Sequence, residues 1–216
     1  NLTWSIVSGP PGGASSIVWS LITETATTET FLPIIVGVYR VHVEAIDGLD
    51  VTRSCEFTVT ANSRGLRAEL TWNGPGDVDI HLHNNASGPW FNVPNDCHYR
   101  NMSPSWGAGL DVDNVTANGP ENIRMNAPTV GQTYTVAVHN YASAAGRTAT
   151  IRLYCGPAGV TPSAVYTSTP LAGGAVGNCT GNTWWDVVSA TINADGTCVL
   201  VPINNYRTSS AACSTR

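Results

Sequence analysis

Paired aspartates with the same spacing occur twice in this chain. Asp77 and Asp79 flank one valine in the first motif, and Asp111 and Asp113 flank another in the second. Like charges two residues apart on a strand repel unless a cation or a hydrogen-bond donor lies between them. Carboxylate oxygens are the ligands that Ca²⁺ requires, and Glu121 follows the second motif closely. The sequence therefore predicts a calcium site formed by Asp77, Asp79, Asp111, Asp113 and Glu121. The alternative is that these carboxylates accept backbone N–H bonds in turns without a metal.

The first motif continues into two histidines. Strand alternation places Asp77, Asp79 and His81 on the face opposite the core-facing side chains at 78, 80 and 82. Asp79, His81 and His83 share that face, and imidazoles two residues apart can chelate zinc or copper. The same alternation is typical of side chains that face solvent. We prefer this second interpretation from the sequence alone.

Catalytic motifs are absent from the sequence. No G-x-S-x-G nucleophile motif occurs. Asp77 and Asp79 resemble a glycosidase carboxylate pair only in residue type, because neighbours on one strand have no cleft between them. The sequence predicts a protein that is not an enzyme.

The chain contains seven tryptophans, which admit a sugar-binding role because sugar rings stack on exposed aromatic faces. The candidates for such stacking are Trp72, Trp90, Trp106, Trp184 and Trp185. Large aromatic side chains in a β-sandwich more commonly belong to the core. Trp184 and Trp185 must point to opposite faces of one strand, so one of them is either exposed or covered by a further layer or subunit.

Six cysteines are spread along the chain without zinc-finger spacing. An even number in a lysine-free chain rich in Thr, Ser, Gly and Asn favours up to three disulfides formed in an oxidising compartment. Fifteen pairings of six cysteines are possible. Our first choice is Cys179–Cys198, Cys97–Cys155 and Cys55–Cys213, and free buried thiols are the alternative.

The charge of the chain restricts its partners. The net charge is −5 and all basic residues other than histidine are arginines. Such a surface does not neutralise phosphates, so we expect neither nucleic acid nor an anionic membrane as a partner. No apolar run approaches the length of a membrane span.

Short β-branched runs separated by Gly, Pro and Asn dominate the sequence, and helical periodicity is nearly absent. This pattern predicts an all-β protein of the sandwich class. The polar segment 62–65 marks a boundary between a domain at 1–62 and a domain at 63–216, whose end at 157–216 closes with a hairpin. The predicted strands are Leu2–Val7, Ile17–Leu21, Thr30–Leu32, Gly37–Asp47, Cys55–Thr60, Arg67–Trp72, Val78–His83, Trp90–Asn92, Asn122–Met125, Tyr134–Asn140, Thr148–Cys155, Trp184–Asn193 and Thr197–Ile203.

A family resemblance covers about sixty residues at the start of the chain. Its residues are Leu2–Val7, Gly9–Pro11, Phe31, Gly37–Tyr39, Val41–Val43 and Asp47–Gly48. They resemble the later half of a PKD-type immunoglobulin-like domain, which implies that Trp4 and Tyr39 fill the space between two sheets. Such domains begin with two strands that are missing here, so we expect an incomplete Ig/PKD-like sandwich. Either it is cut from a longer polypeptide, or another subunit supplies the missing strand.

A second resemblance spans roughly residues 66–156. Its residues are Leu70–Trp72, Gly76–Leu82, Trp90–Phe91, Asn95–Cys97, Tyr99, Asn101, Trp106–Gly107, Leu110–Asp113, Gly119–Ile123, Gly131, Tyr134–Val136, Val138 and Tyr141. They resemble bacterial extracellular domains, frequent in large secreted proteins of myxobacteria and relatives, that share features with DUF2135-like domains. The resemblance implies a jelly-roll-like β-sandwich with no established catalytic activity.

These observations favour a non-enzymatic, secreted structural module, expected at the cell surface as the subunit of a fibre or layer assembled through β-strand sharing. The alternative is an adhesive or carbohydrate-binding domain of a larger surface protein. The expected partners are further copies of the chain or neighbouring domains of the same surface protein, with a glycan as a further candidate. The expected cofactor is calcium.

Overall fold

A computed structural model describes residues 2–10, 17–20, 30–84, 89–116, 118–174 and 183–207. These residues form antiparallel sheets and contain no helix, which confirms the predicted all-β sandwich class. No helix able to cross a membrane is therefore present in the described part of the chain. The chain divides into two compact units, Asn1–Asn62 and Ser63–Arg216.

The described residues of the first unit form a three-stranded sheet and a separate pair of antiparallel strands. The sheet has the order β1 (Leu2–Ser8), β4 (Gly37–Ile46), β5 (Thr52–Ala61), and the pair consists of β2 (Ile17–Ser20) and β3 (Thr30–Pro33). Period-2 alternation in β4 buries Tyr39 and Val41 and leaves Arg40 between them exposed. The Tyr39 hydroxyl donates a 2.6 Å hydrogen bond to the carbonyl oxygen of Ile35, which satisfies its polar end inside the core.

The second unit is built from two five-stranded sheets. One has the order β13-β12-β6-β10-β9 and the other β15-β14-β11-β7-β8. The strands are β6 (Ser63–Trp72), β7 (Val78–His83), β8 (Asp96–Cys97), β9 (Gly109–Val112), β10 (Glu121–Met125), β11 (Thr133–Asn140), β12 (Ala149–Gly159), β13 (Ala164–Thr167), β14 (Trp184–Ile192) and β15 (Cys198–Arg207). The segment Trp90–Asn92, predicted as a strand, forms turns, whereas β8, β9 and β13 were not predicted.

One hydrophobic core lies between these two sheets. Alternate residues of each central strand point into it, including Leu66 and Leu70 of β6 and Val136 and Val138 of β11. Trp185 of β14 is 1% exposed and is among the largest side chains of this core. Removing apolar surface of this kind from water supplies the main driving force for sandwich formation.

A disulfide between Cys155 on β12 and Cys198 on β15 joins the two sheets of the second unit. The predicted pairs Cys97–Cys155 and Cys179–Cys198 are therefore wrong. Cys97 is a free thiol in the sandwich core, where its partner in the strand register is Leu82. Its burial raises its thiol pKa to about 12.

The third predicted pair was Cys55–Cys213. Cys55 lies on β5, is exposed and has no disulfide partner among the described residues. Cys179 and Cys213 lie outside the described residues.

Candidate metal centre

Both faces of β7 are buried. Val78, Ile80 and Leu82 point into the sandwich core, as the alternation predicts. Asp79 on the opposite face is 2% exposed, and His81 and His83 on that face are 0% exposed. The expectation that these histidines face solvent is therefore wrong, because a further layer covers the outer face of the sheet.

This layer is formed by the covering loop, defined here as residues 89–101, which also contains the short edge strand β8. Its aromatic side chains pack on the outer face. The ring centroids of Phe91 and His81 lie 4.8 Å apart, and those of Trp90 and Trp184 lie 5.1 Å apart. Asp96 Oδ2 accepts a 2.7 Å hydrogen bond from the Phe91 backbone N–H, which fixes the loop's fold.

The covering loop also explains why the adjacent residues Trp184 and Trp185 are both buried. Trp184 packs beneath the loop and Trp185 packs in the sandwich core, so both are buried. Trp72 and Trp90 are buried as well, and Trp106 is partly buried with its indole N–H donating to Pro94 O at 2.8 Å. Four of the five tryptophans proposed for sugar stacking therefore have no exposed ring face.

The loop closes over a histidine cluster, defined here as His81, His83, His98 and His139. The four residues are each 0–1% exposed. His98 stacks on His81 with ring centroids 5.3 Å apart and ring planes 15° apart. His139 comes from β11, where it is the register partner of Asp79. Cross-strand partners share a face of the sheet, so this register brings His139 onto the same face as His81.

Asp96 fixes the orientation of His81. The Nδ1 atom of His81 lies 2.8 Å from Asp96 Oδ2, and Nε2 of the same ring has no hydrogen-bond partner. Burial lowers the pKa of His81 to about 3, so the ring is neutral at ordinary pH. A neutral ring that donates from Nδ1 to a carboxylate carries its lone pair on Nε2. Nε2 of His81 therefore carries a buried lone pair that accepts no hydrogen bond.

Asp79 lies beside this imidazole. Burial, followed by the nearby charges of Asp77 and Asp113, raises the pKa of Asp79 to about 9. Its Oδ2 has no hydrogen bond and lies 3.9 Å from His139 Nδ1. One potential ligand atom from each of Asp79, His81 and His139 lies within 4.8 Å of the others.

Asp79 also belongs to a carboxylate cluster, defined here as Asp77, Asp79, Asp113 and Glu121. Potential ligand atoms of the three aspartates lie within 4.8 Å of one another. Burial and the charge of Asp79 raise the pKa of Glu121 well above its usual value. Glu121 accepts hydrogen bonds from the backbone N–H of Ile80 at 2.8 Å and from that of Asn114 at 2.9 Å, which holds the second motif against β7.

Asp111, the fifth predicted calcium ligand, is not part of this cluster. Its carboxylate lies 2.6 Å from Arg124 Nε and 3.7 Å from Arg67 Nη1. The strand β9 ends at Val112, and its register with β10 shifts at Asn122. Regular alternation would place Asp111 and Asp113 on one face of a strand. The chain departs from this alternation between the two residues, so their side chains diverge.

His139 was missed by the sequence-based search for ligands. The available signal was alternation in the predicted strand Tyr134–Asn140, which places His139 on the face opposite Val136 and Val138. Its proximity to Asp79 depends on a register between strands more than fifty residues apart, and spacing along the chain does not reveal that register.

Comparison with protein-family models, with curated proteins and with solved structures finds no match to this chain. The resemblances to PKD-type and DUF2135-like domains remain hypotheses based on the motifs quoted above.

Proposed function

We propose that this chain is a non-enzymatic structural module of an extracellular assembly, and that its copies associate by sharing β-strands. The observation that supports it most is the exposure of β5. Eight of its ten residues are exposed and the other two are half-buried. Among the described strands β5 pairs only with β4, so one of its edges is open to another strand.

The opposite edge of the same sheet belongs to β1, which also pairs only with β4 among the described strands. Within the described part of the chain, this sheet therefore has two different edge strands without an outer partner, of seven and ten residues. Pairing β5 of one copy with β1 of the next is a heterologous contact, and such contacts propagate into filaments when their rotation does not close a ring.

An incompletely covered apolar face adds to this support. Phe57 lies on the same face as the buried Val41, its register partner in β4. Phe57 is nevertheless 42% exposed, although Trp4 packs edge-on against it with ring centroids 6.3 Å apart. The opposite face is polar and carries the Arg40–Glu56 ion pair at 2.5 Å. A neighbouring copy would extend the sheet and cover this apolar rim.

Lysines on the edge strand test the strand-sharing proposal. Wild-type protein is expected to form concentration-dependent oligomers in native mass spectrometry and in analytical ultracentrifugation. Ser54→Lys combined with Thr58→Lys adds charge to exposed positions of β5 and is expected to weaken association by at least about tenfold. Thr161→Lys combined with Thr169→Lys, at exposed positions of the second unit, serves as the charge-matched control. A wild type that stays monomeric at high concentration would refute strand sharing.

The disulfide and the buried polar groups support the rest of the proposal. Disulfides persist in oxidising compartments, so Cys155–Cys198 favours secretion. The groups suited to acid–base or nucleophilic chemistry in the second unit include Asp79, His81 and Glu121, which are at most 2% exposed. A surface cavity lined by Arg64, Asn126 and Asp195, among others, contains none of these three. This separation favours a structural role for the buried groups.

We further propose that the carboxylate cluster binds calcium, which would relieve the mutual repulsion of Asp77, Asp79 and Asp113. Saturating Ca²⁺ is expected to raise the melting temperature relative to EDTA by several degrees, because a ligand at about 100 times its Kd stabilises by about 2.7 kcal/mol. Asp113→Asn is expected to lose most of this shift. Asp111→Asn is the matched control, because Asp111 pairs with arginines outside the cluster. A melting temperature insensitive to EDTA would contradict calcium binding.

A further inference from the structure

We infer that Asp79, His81 and His139 form a buried binding site for a divalent transition-metal ion such as Zn²⁺. The site goes beyond the proposed structural function and differs from the calcium site in its two imidazole ligands. Two independent observations carry the inference. Potential ligand atoms of the three residues lie within 4.8 Å of one another. Nε2 of the fully buried His81 has no hydrogen bond.

The environment of His81 matches that of metal-binding histidines. Such histidines usually donate their second ring N–H to a carboxylate or carbonyl group, which fixes the tautomer and aims the other nitrogen at the metal. Asp96 serves as that carboxylate, at 2.8 Å from His81 Nδ1. Asp96 is in turn fixed by the Phe91 backbone N–H and by Asn101, whose side-chain amide donates to the Asp96 carbonyl oxygen at 2.7 Å. Asp96 is therefore a positioning residue for His81.

The donor set selects the class of ion. Two imidazoles and one carboxylate suit zinc and similar ions, whereas calcium prefers an all-oxygen shell. Zinc bonds of about 2.0–2.1 Å place tetrahedral ligand atoms about 3.4 Å apart. The 3.9 Å between His139 Nδ1 and Asp79 Oδ2 is close to that spacing. His98, whose Nε2 also lacks a hydrogen bond, or a water molecule can supply the fourth ligand.

Metal content after refolding tests the site. The disulfide-intact protein is unfolded in guanidinium with EDTA, refolded with excess ZnCl₂, and separated from loose metal by gel filtration. Wild type is expected to retain one zinc ion per chain. His139→Gln is expected to lower zinc affinity at least about 100-fold, and Asp96→Asn about 10- to 100-fold, as measured by chelator competition.

Two control variants locate the ion. His42→Gln, which changes the histidine of the first unit, is expected to retain one zinc ion. Asp113→Asn is also expected to retain zinc while losing the calcium response. This variant therefore tests the zinc site independently of the calcium site. The strand-sharing experiment is independent of both ions.

A second measurement on the wild type avoids variants that fail to fold. In ¹H–¹⁵N spectra of the imidazole rings, zinc is expected to shift ring nitrogens of His81 and His139 and leave those of His42 unchanged. The inference is overturned if wild type retains no zinc, or if folded His139→Gln binds zinc as tightly as wild type. It is also overturned if the ring nitrogens of His81 and His139 do not respond to zinc.

Discussion

Asp79→Asn is expected to remove a pH-dependent loss of stability from the metal-free protein. Asp79 has a folded-state pKa of about 9 against an ordinary value of 3.8, chiefly because it is buried. Between these values the unfolded chain carries the ionised carboxylate and the folded chain keeps the proton. Unfolding then releases a proton, so the free energy of unfolding falls as the pH rises between these two pKa values. The contribution of Asp79 to stability is complete below pH 3.8 and is lost as the pH rises through about 9.

The interval from about pH 7 to 8.5 separates this effect from the titration of His81 and His98. His81 and His98 have pKa values lowered by burial to about 3 and about 4, so their contributions change below their ordinary value of 6.5. The raised pKa of Glu121 acts with the same sign as that of Asp79. If the folded state binds one proton more than the unfolded state across this interval, the free energy of unfolding falls by about 2 kcal/mol.

Urea unfolding at several pH values in EDTA measures this slope. Asp79→Asn is expected to reduce it by about one proton. The control is Asp195→Asn, because the pKa of the Asp195 carboxylate is lowered and this exposed group stays ionised in both states. A wild-type free energy of unfolding that does not fall with pH, or an equal slope in Asp79→Asn, contradicts the prediction.

Removing the disulfide is expected to have a second large effect, on the stability of the second unit. The bond links residues 43 positions apart. Closing a loop of that length in the unfolded chain corresponds to about 4 kcal/mol of stabilisation in the chain-entropy model. The bond also connects the edge strand β15 to β12 in the facing sheet, so its loss frees two sheets from each other at this point. We expect the Cys155→Ser, Cys198→Ser double variant to unfold at clearly lower urea concentration.

Tryptophan fluorescence during urea unfolding measures this loss. Cys55→Ser is the matched control, because Cys55 is exposed in the first unit and lies outside the bond. Adding a reductant to wild type is expected to reproduce the loss and to leave the double variant unchanged. A double variant within about 1 kcal/mol of wild type would show that the bond does not contribute as proposed.

Features carried by local periodicity could be predicted from the sequence. The bounds of β7 and the division of its side chains between two faces follow from alternation alone, because a strand repeats every two residues. The all-β class follows from many such runs separated by turn residues. Strands as short as Asp96–Cys97 leave no period to detect, so β8 could not be found in this way.

The candidate site depended on tertiary structure and could be predicted only in part. Asp77, Asp79 and Asp113 do meet, but the irregular end of β9 leaves Asp111 with its arginines. Alternation predicts which face of β7 carries His81, but it does not predict whether a loop covers that face. The cysteine pairing failed for a related reason, since spacing along the chain does not measure the distance between two facing sheets.

We expect the covering loop to limit the rate at which an ion or water molecule on the outer face of β7 exchanges with solvent. His81, His83 and Asp79 are at most 2% exposed, so the described residues leave an ion or water molecule no direct path to them. We expect entry and exit to require opening of the parts of this loop that flank β8, because Asp96 and Cys97 pair with β7 in the sheet itself. The residence time of anything bound there is then limited by the opening rate of the loop and not only by the strength of its bonds.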